Sequence, residues 1–147
     1  MVLYETKVTM IAMTTVKNIF PYVLFSIHLV LLLWGLAGLA QYLFAGFETG
    51  LQNTNFPKGT QLLHWLLLII SGAVYTVGFL IRSKHTPFIT IIMYAMLATL
   101  CFIETVDFKA FGDTATRYIP MTLEFIAYIA LSIYLSRSMA INERFNA

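Results

Sequence analysis

The sequence predicts an all-α polytopic membrane protein, an antiparallel bundle of four transmembrane helices. Three observations carry that reading. Of the 147 residues, 59% are hydrophobic and only 11% are charged, whereas soluble domains carry about 25% charged residues. The charges are also segregated. Residues 18–47, 59–81 and 85–103 hold no Asp, Glu, Lys or Arg, and residues 118–136 hold only Glu124. Finally, each run is close to the roughly 20 residues that cross a bilayer as a helix.

The same arithmetic excludes much. The length accommodates one domain. A net charge of +2 gives no basic footprint for nucleic acid. Cys101, the single cysteine, leaves no intramolecular disulfide and no Cys-x-x-Cys motif.

Taken in order, residues 1–19 alternate apolar and hydroxyl side chains (Val8, Thr9, Met10, Thr14, Thr15, Val16). They read either as an interfacial helix or as an extension of the first span. Helix 1 is expected near 20–45, opened by Pro21 at a first-turn position where a missing N–H does no harm. It is too long for a cleavable signal peptide and lacks a small-x-small site after a short core. Gly46, Gly50 and Asn53 to Gly59 make a turn-rich loop. Helix 2 follows near 61–81. The short 82–85 loop makes helices 2 and 3 antiparallel neighbours. Helix 3, near 86–103, opens on Pro87, and helix 4, near 118–136, on Pro120. The division is therefore an N-terminal segment 1–19, a four-helix domain 20–136 and a cytoplasmic tail 137–147.

Lys7, Lys17, Arg82, Lys84, Arg137 and Arg144 fall on one side of these spans, and Lys58, Lys109 and Arg117 on the other. The positive-inside bias puts both termini and the 82–85 loop in the cytoplasm. The expected location is a bacterial inner membrane.

Polar residues in a span usually face the bundle interior. Helix 2 carries a seam of His64, Leu68, Ser71, Tyr75, Gly78 and Arg82, which leaves Leu66, Leu67, Ile69, Ile70 and Val77 for lipid or neighbouring chains. Comparable stripes are His28, Leu31, Gly35, Gly38 and Tyr42 on helix 1, Thr90, Tyr94, Leu97, Cys101 and Glu104 on helix 3, and Glu124, Tyr128, Leu131 and Leu135 on helix 4. Gly35, Gly38, Ser71, Gly72 and Gly78 suit close backbone approach.

At ~1.5 Å per residue, the polar side chains sort into two layers. Gln41, His64, Glu104 and Glu124 lie near the outer boundary. His28, Tyr75, Tyr94 and Tyr128 lie roughly 9–12 Å from the inner one. Glu124 is the most informative, since a charged side chain inside a span costs about 2.5–3.5 kcal/mol on insertion scales. It needs protonation, solvation or a partner. His64 is the first expectation for that partner and Arg117 the second. The carboxyl then serves as a proton relay or ligand anchor, or as a structural lock of helix 4 on helix 2.

One haem cannot take both His28 and His64, which lie roughly 13 Å apart along the membrane normal. No His/Glu pair sits at i, i+3 or i+4 on one helix, so no metal site is expected. No cofactor is required, although the inner layer offers a flat apolar pocket to a quinone headgroup, with His28 and Tyr75 as hydrogen-bonding groups. Cys101 reads as inert. Tyr4, Phe20, Tyr22, Phe44, Phe47, Tyr118 and Tyr134 read as interfacial belts. Asp107, Lys109 and Asp113 read as a solvated outer face.

The segment Trp34-Gly35-Leu36-Ala37-Gly38-Leu39-Ala40-Gln41-Tyr42-Leu43 resembles the end of the first helix in the DoxX family of small four-helix membrane proteins. Phe56-Pro57 followed by Leu63 to Arg82, closing Gly78-Phe79-Leu80-Ile81-Arg82, resembles that family's second helix, and Tyr94-Ala95-Met96-Leu97-Ala98-Thr99-Leu100 its third. The resemblance spans about residues 22–136. It implies an accessory or subunit role, as in thiosulfate–quinone oxidoreduction and other redox membrane complexes. Related eukaryotic proteins resemble membrane chaperones or cargo receptors. Gln41 stands where the family usually has Lys, and Tyr75 near a frequent Glu. A charge pair serving the family at that level is therefore missing here.

Three functional readings follow. The favoured one is a non-catalytic subunit or accessory factor of a larger, redox-linked membrane complex, with lipids and either other subunits or a second copy as partners. The others are a quinone- or lipid-binding redox subunit and a small proton-coupled transporter.

Overall fold

A computed structural model describes the backbone of residues 2–44, 57–108 and 114–145, and the side chains of 19–44, 57–107 and 118–145. Within them the chain is almost entirely helical: α1 (Val2–Leu43), α2 (Lys58–Ile81), α3 (Thr86–Ile103), a π-helical turn (Glu104–Phe108), α4 (Thr114–Arg137) and α5 (Met139–Phe145). Four stretches are long and apolar enough to span a membrane: Ile19–Leu43, Lys58–Ile81, Thr86–Asp107 and Tyr118–Arg137. The protein is therefore an all-α, four-helix integral membrane protein. The turn-rich loop with Gly46 and Gly50, the loop residues Lys109 and Asp113, and the side chains of Tyr4, Phe47 and Arg117 lie outside the described residues.

The helix starts differ from the expectation. α1 begins at Val2, so the N-terminal segment continues the first span as one helix, and Pro21 stands inside it rather than in its first turn. Pro120 likewise stands inside α4. Neither proline ends its helix, because neighbouring helices in a bundle can satisfy the freed carbonyls. Beside the first of them, the Tyr75 hydroxyl donates to the Pro21 carbonyl itself at 3.5 Å. Pro87 does occupy the first turn of α3. The α2 C-cap is Arg82, at φ 56°, a left-handed conformation usually left to Gly or Asn. The Arg82 N–H bonds Gly78 O, and the Ser83 N–H reaches the same carbonyl at 3.0 Å.

Helix α2 is the centre of the bundle. Half of its apolar window is buried, against 6% for that of α4. It packs on α1 along small residues. A Cβ built on Gly72 would lie 2.6 Å from Leu32 N and 2.7 Å from His28 O, both backbone atoms of α1. A Cβ on Gly35 would lie 2.9 Å from an Ile69 side-chain carbon, one on Gly38 would run into the Trp65 ring, and one on Gly78 into Thr86. With no apolar driving force between helices in lipid, such close approach is what gains dispersion contacts.

The seam of α2 turns inward through Ser71, Tyr75 and Gly78, while Leu66, Ile70 and Val77 are exposed to the surroundings. Leu67 departs from the expected lipid face: it is 6% exposed and packs with Leu97 and Leu100 of α3. A helix between two neighbours buries two stripes, and the polar seam marks only one of them.

Beyond Arg137, the segment expected as a tail forms α5, which folds back on α1. Its Ile141 and Phe145 are 0% and 2% exposed and join Leu24, Tyr75, Phe79, Tyr94 and Leu135 in the main core. The Arg144 Nη2 donates to Phe79 O at 3.0 Å, and its guanidinium lies over the Phe79 ring at 4.1 Å. Phe20 and Tyr134 meet edge to face at 4.4 Å, and Tyr22 meets Phe79 at 5.3 Å. Three of the residues expected as an aromatic belt are thus packed against one another or the core at this end.

Gly72→Leu should force α1 and α2 apart and lower stability by about 1–3 kcal/mol, the usual cost of overpacking. A thermal melt in mild detergent measures it. Gly59→Leu is the control, because no atom lies within 4 Å of the Cβ it would add.

Candidate functional site

The inner polar layer assembles around His28, which is 1% exposed. Its Nδ1 lies 2.8 Å from Leu24 O and its Nε2 lies 3.0 Å from the Tyr94 hydroxyl. A carbonyl only accepts, so the hydrogen is assigned to Nδ1. Nε2 is then the acceptor and Tyr94 the donor. The imidazole also stacks on Tyr75, with ring centroids 4.3 Å apart, and Tyr94 stacks on Tyr128 at 5.4 Å. All four residues of the layer, one from each spanning helix, therefore form one contiguous column. Both His28 nitrogens and the Tyr94 hydroxyl are occupied within it. That arrangement satisfies buried polar groups and leaves no donor of this pair aimed at a quinone.

The outer layer is organised differently. His64 Nδ1–H donates to Glu104 Oε1 at 2.8 Å, with the two side chains 31% and 11% exposed. His64 thus pairs with Glu104 of α3, not with Glu124 of α4 as expected. Glu104 ends the inward stripe of α3, held there by its N–H to Leu100 O, and a π turn begins at it, whereas Glu124 is turned to the exposed side of α4. Such turns are rare and often sit at functional sites. Here the wider turn brings two successive side chains inward, Glu104 at 8% and Thr105 at 1% exposure.

These groups line a cavity of about 230 Å³ between the four spans. Its polar wall is His64, Cys101, Glu104, Thr105 and Glu124; its apolar floor includes Leu31, Leu68, Leu97 and Leu100, with Tyr128 joining it to the inner column. The Cys101 thiol shares this wall with Glu124 and Thr105. Glu124 is on the exposed side of this wall. Gln41, assigned to the same layer, is half-buried but not part of the cavity wall. The cavity wall holds two carboxyl groups and one imidazole, and no Lys or Arg. If His64 carries a proton it neutralises Glu104, and Glu124 remains in excess. Among the described residues, no group of three or more His, Cys, Asp or Glu side chains is arranged to hold a metal ion.

Thr105 escaped the sequence reading because the third span was ended at the first charge, whereas Cys101 stood on the expected inward stripe and was read as inert. A paired Glu104 does not end a helix, and extending the span to Asp107 brings Thr105 into view.

No family model, curated protein or solved structure matches this chain. The chemistry of the cavity is the direct guide to function.

The pairing is open to a double-mutant cycle. His64→Ala with Glu104→Gln should show a coupling of about 1 kcal/mol, the scale of a part-buried hydrogen bond. His64→Ala with Glu124→Gln should show near-additive effects on the same detergent melting curve.

Proposed function

We propose that this integral membrane protein handles protons, or a small protonated solute, through the outer cavity, as a proton-coupled module of the bilayer. The observation that carries the reading is the acid excess of that cavity: His64 answers Glu104 at 2.8 Å, and no basic side chain of the cavity wall answers Glu124. A carboxylate at membrane depth is expensive unless it is protonated, paired or solvated. A site that alternates between these conditions couples proton uptake to whatever enters the cavity. Glu124 is the proton acceptor in this proposal, Glu104 and His64 set the charge beside it, and Cys101 and Thr105 supply weak donors.

The quinone reading gains less support, because His28 and Tyr94 are committed to each other. The accessory-subunit reading rests on a separate observation. Only 6% of the apolar window of α4 is buried, and Ile119, Leu123, Ile126, Ile129 and Ile133 are exposed along it. That leaves a continuous face for a neighbouring subunit, in keeping with the role the DoxX resemblance implies. The two readings are compatible, since a proton-handling module can sit within a larger assembly.

In liposomes carrying the purified protein, an imposed potassium diffusion potential should drive proton uptake above that of empty liposomes. Glu124→Gln should reduce it at least about tenfold, and Gln41→Ala should leave it unchanged. Uptake equal in wild type and Glu124→Gln would refute the assignment.

A further inference from the structure

A second polar cavity, of about 330 Å³, lies at the opposite end of the bundle. It is lined by Pro21 and Tyr22 of α1, Arg82 at the end of α2, and Ala140, Glu143 and Arg144 of α5. We propose that this cavity binds the phosphate of an anionic lipid headgroup. The proposal does not depend on the reading of the outer cavity.

Among the described residues the one ion pair is His64–Glu104, so neither Arg82 nor Arg144 is paired with a described carboxylate. Glu143 lines the same cavity but is solvent-exposed and stands outside ion-pair distance of both. Arg144 is held in place by its bond to Phe79 O and by the rings of Phe79 and Tyr22, at 4.1 and 5.9 Å. Its Nε–H is buried and has no acceptor. A guanidinium offers five donors in a planar fork that matches phosphate oxygens. Here one donor is used on a backbone carbonyl and another is left without a partner.

Position identifies the source of the phosphate. The α2 and α4 spans end at Ile81 and Arg137, and Lys17 is the last charge before the apolar run of α1, so residues 21–22, 82 and 140–144 lie at the edge of the hydrocarbon. Lipid phosphates lie at that level, and basic pockets between spanning helices hold lipid headgroups in this way. The first turns of the α1 span supply an apolar wall, and α5, folded back on α1, closes the site from the other side. The C-terminal helix is thus part of a lipid site as well as part of the core.

The test uses the full-length protein in mild detergent, incubated with an equal mixture of phosphatidylglycerol and phosphatidylcholine and analysed by native mass spectrometry. Retained phosphatidylglycerol in preference to phosphatidylcholine is expected. Arg82→Gln should weaken retention about tenfold, Arg82→Lys should restore part of it, and Glu143→Gln should strengthen it. Arg82 is exposed and lies outside α5, so this series stays informative if Arg144→Gln destabilises α5. Inorganic phosphate in large excess should not displace the lipid. Displacement by inorganic phosphate would overturn the lipid assignment, and equal retention of both lipids, or no effect of Arg82→Gln, would overturn the site.

Discussion

In hydrocarbon, a buried imidazole must find a partner for each ring nitrogen inside the protein, and His28 meets that constraint with one bond along its own helix and one across the bundle. The bond to Leu24 O fixes the tautomer, and the bond from Tyr94 then ties α1 to α3. For the ring to sit there, α1 and α2 must approach closely. Gly72 allows this, lying against the backbone of α1 beside His28 itself. Tyr75 of α2 covers one face of the ring, and Tyr128 of α4 stacks on Tyr94. A single polar group therefore recruits one residue from each spanning helix. An unsatisfied buried donor or acceptor costs about 1–3 kcal/mol, so this arrangement selects one packing of otherwise apolar helices.

The two ends of the bundle are built on the opposite plan. There the polar groups outnumber their partners. At one end Glu124 shares a cavity with an ion pair that already satisfies its neighbours. At the other, Arg82 and Arg144 face a cavity in which no described carboxylate lies in ion-pair range. The Tyr128–Tyr94–His28–Tyr75 column runs between them, and the Tyr75 hydroxyl reaches the Pro21 carbonyl on the rim of the second cavity. The His28–Tyr94 bond and its stacked tyrosines fix the geometry, while the ends are where ligands of opposite charge gain most: cations or protons at the acidic end, phosphate at the basic one.

Much of this was legible in the sequence, for a definable reason. Depth along a helix follows from counting residues, so the separation of His28, Tyr75, Tyr94 and Tyr128 from His64, Glu104 and Glu124 could be read without coordinates. Rotation about the helix axis follows from the polar seam only where a helix has one neighbour. Leu67 of the central helix α2 shows the limit, since its second buried stripe is apolar and carries no polar mark. The partner of His64 was not legible either. Depth counting puts Glu104 and Glu124 in one layer with His64 and cannot rank them; the choice rests on the rotation of α4, which leaves Glu124 exposed while Glu104 meets His64. Nor did α5 announce itself: seven residues cannot show helical periodicity, and its place is fixed by Ile141, Phe145 and Arg144 meeting surfaces made by distant parts of the chain.

The central claim is that Glu124 is the proton-accepting group of the outer cavity. Infrared difference spectroscopy of the purified protein, recorded between acidic and alkaline buffers, addresses it directly by following the carbonyl stretch of a protonated carboxylic acid. The account predicts a band that is lost in Glu124→Gln and retained in Tyr94→Phe, whose hydroxyl belongs to the inner column. A carboxylic-acid band identical in wild type and Glu124→Gln would contradict it.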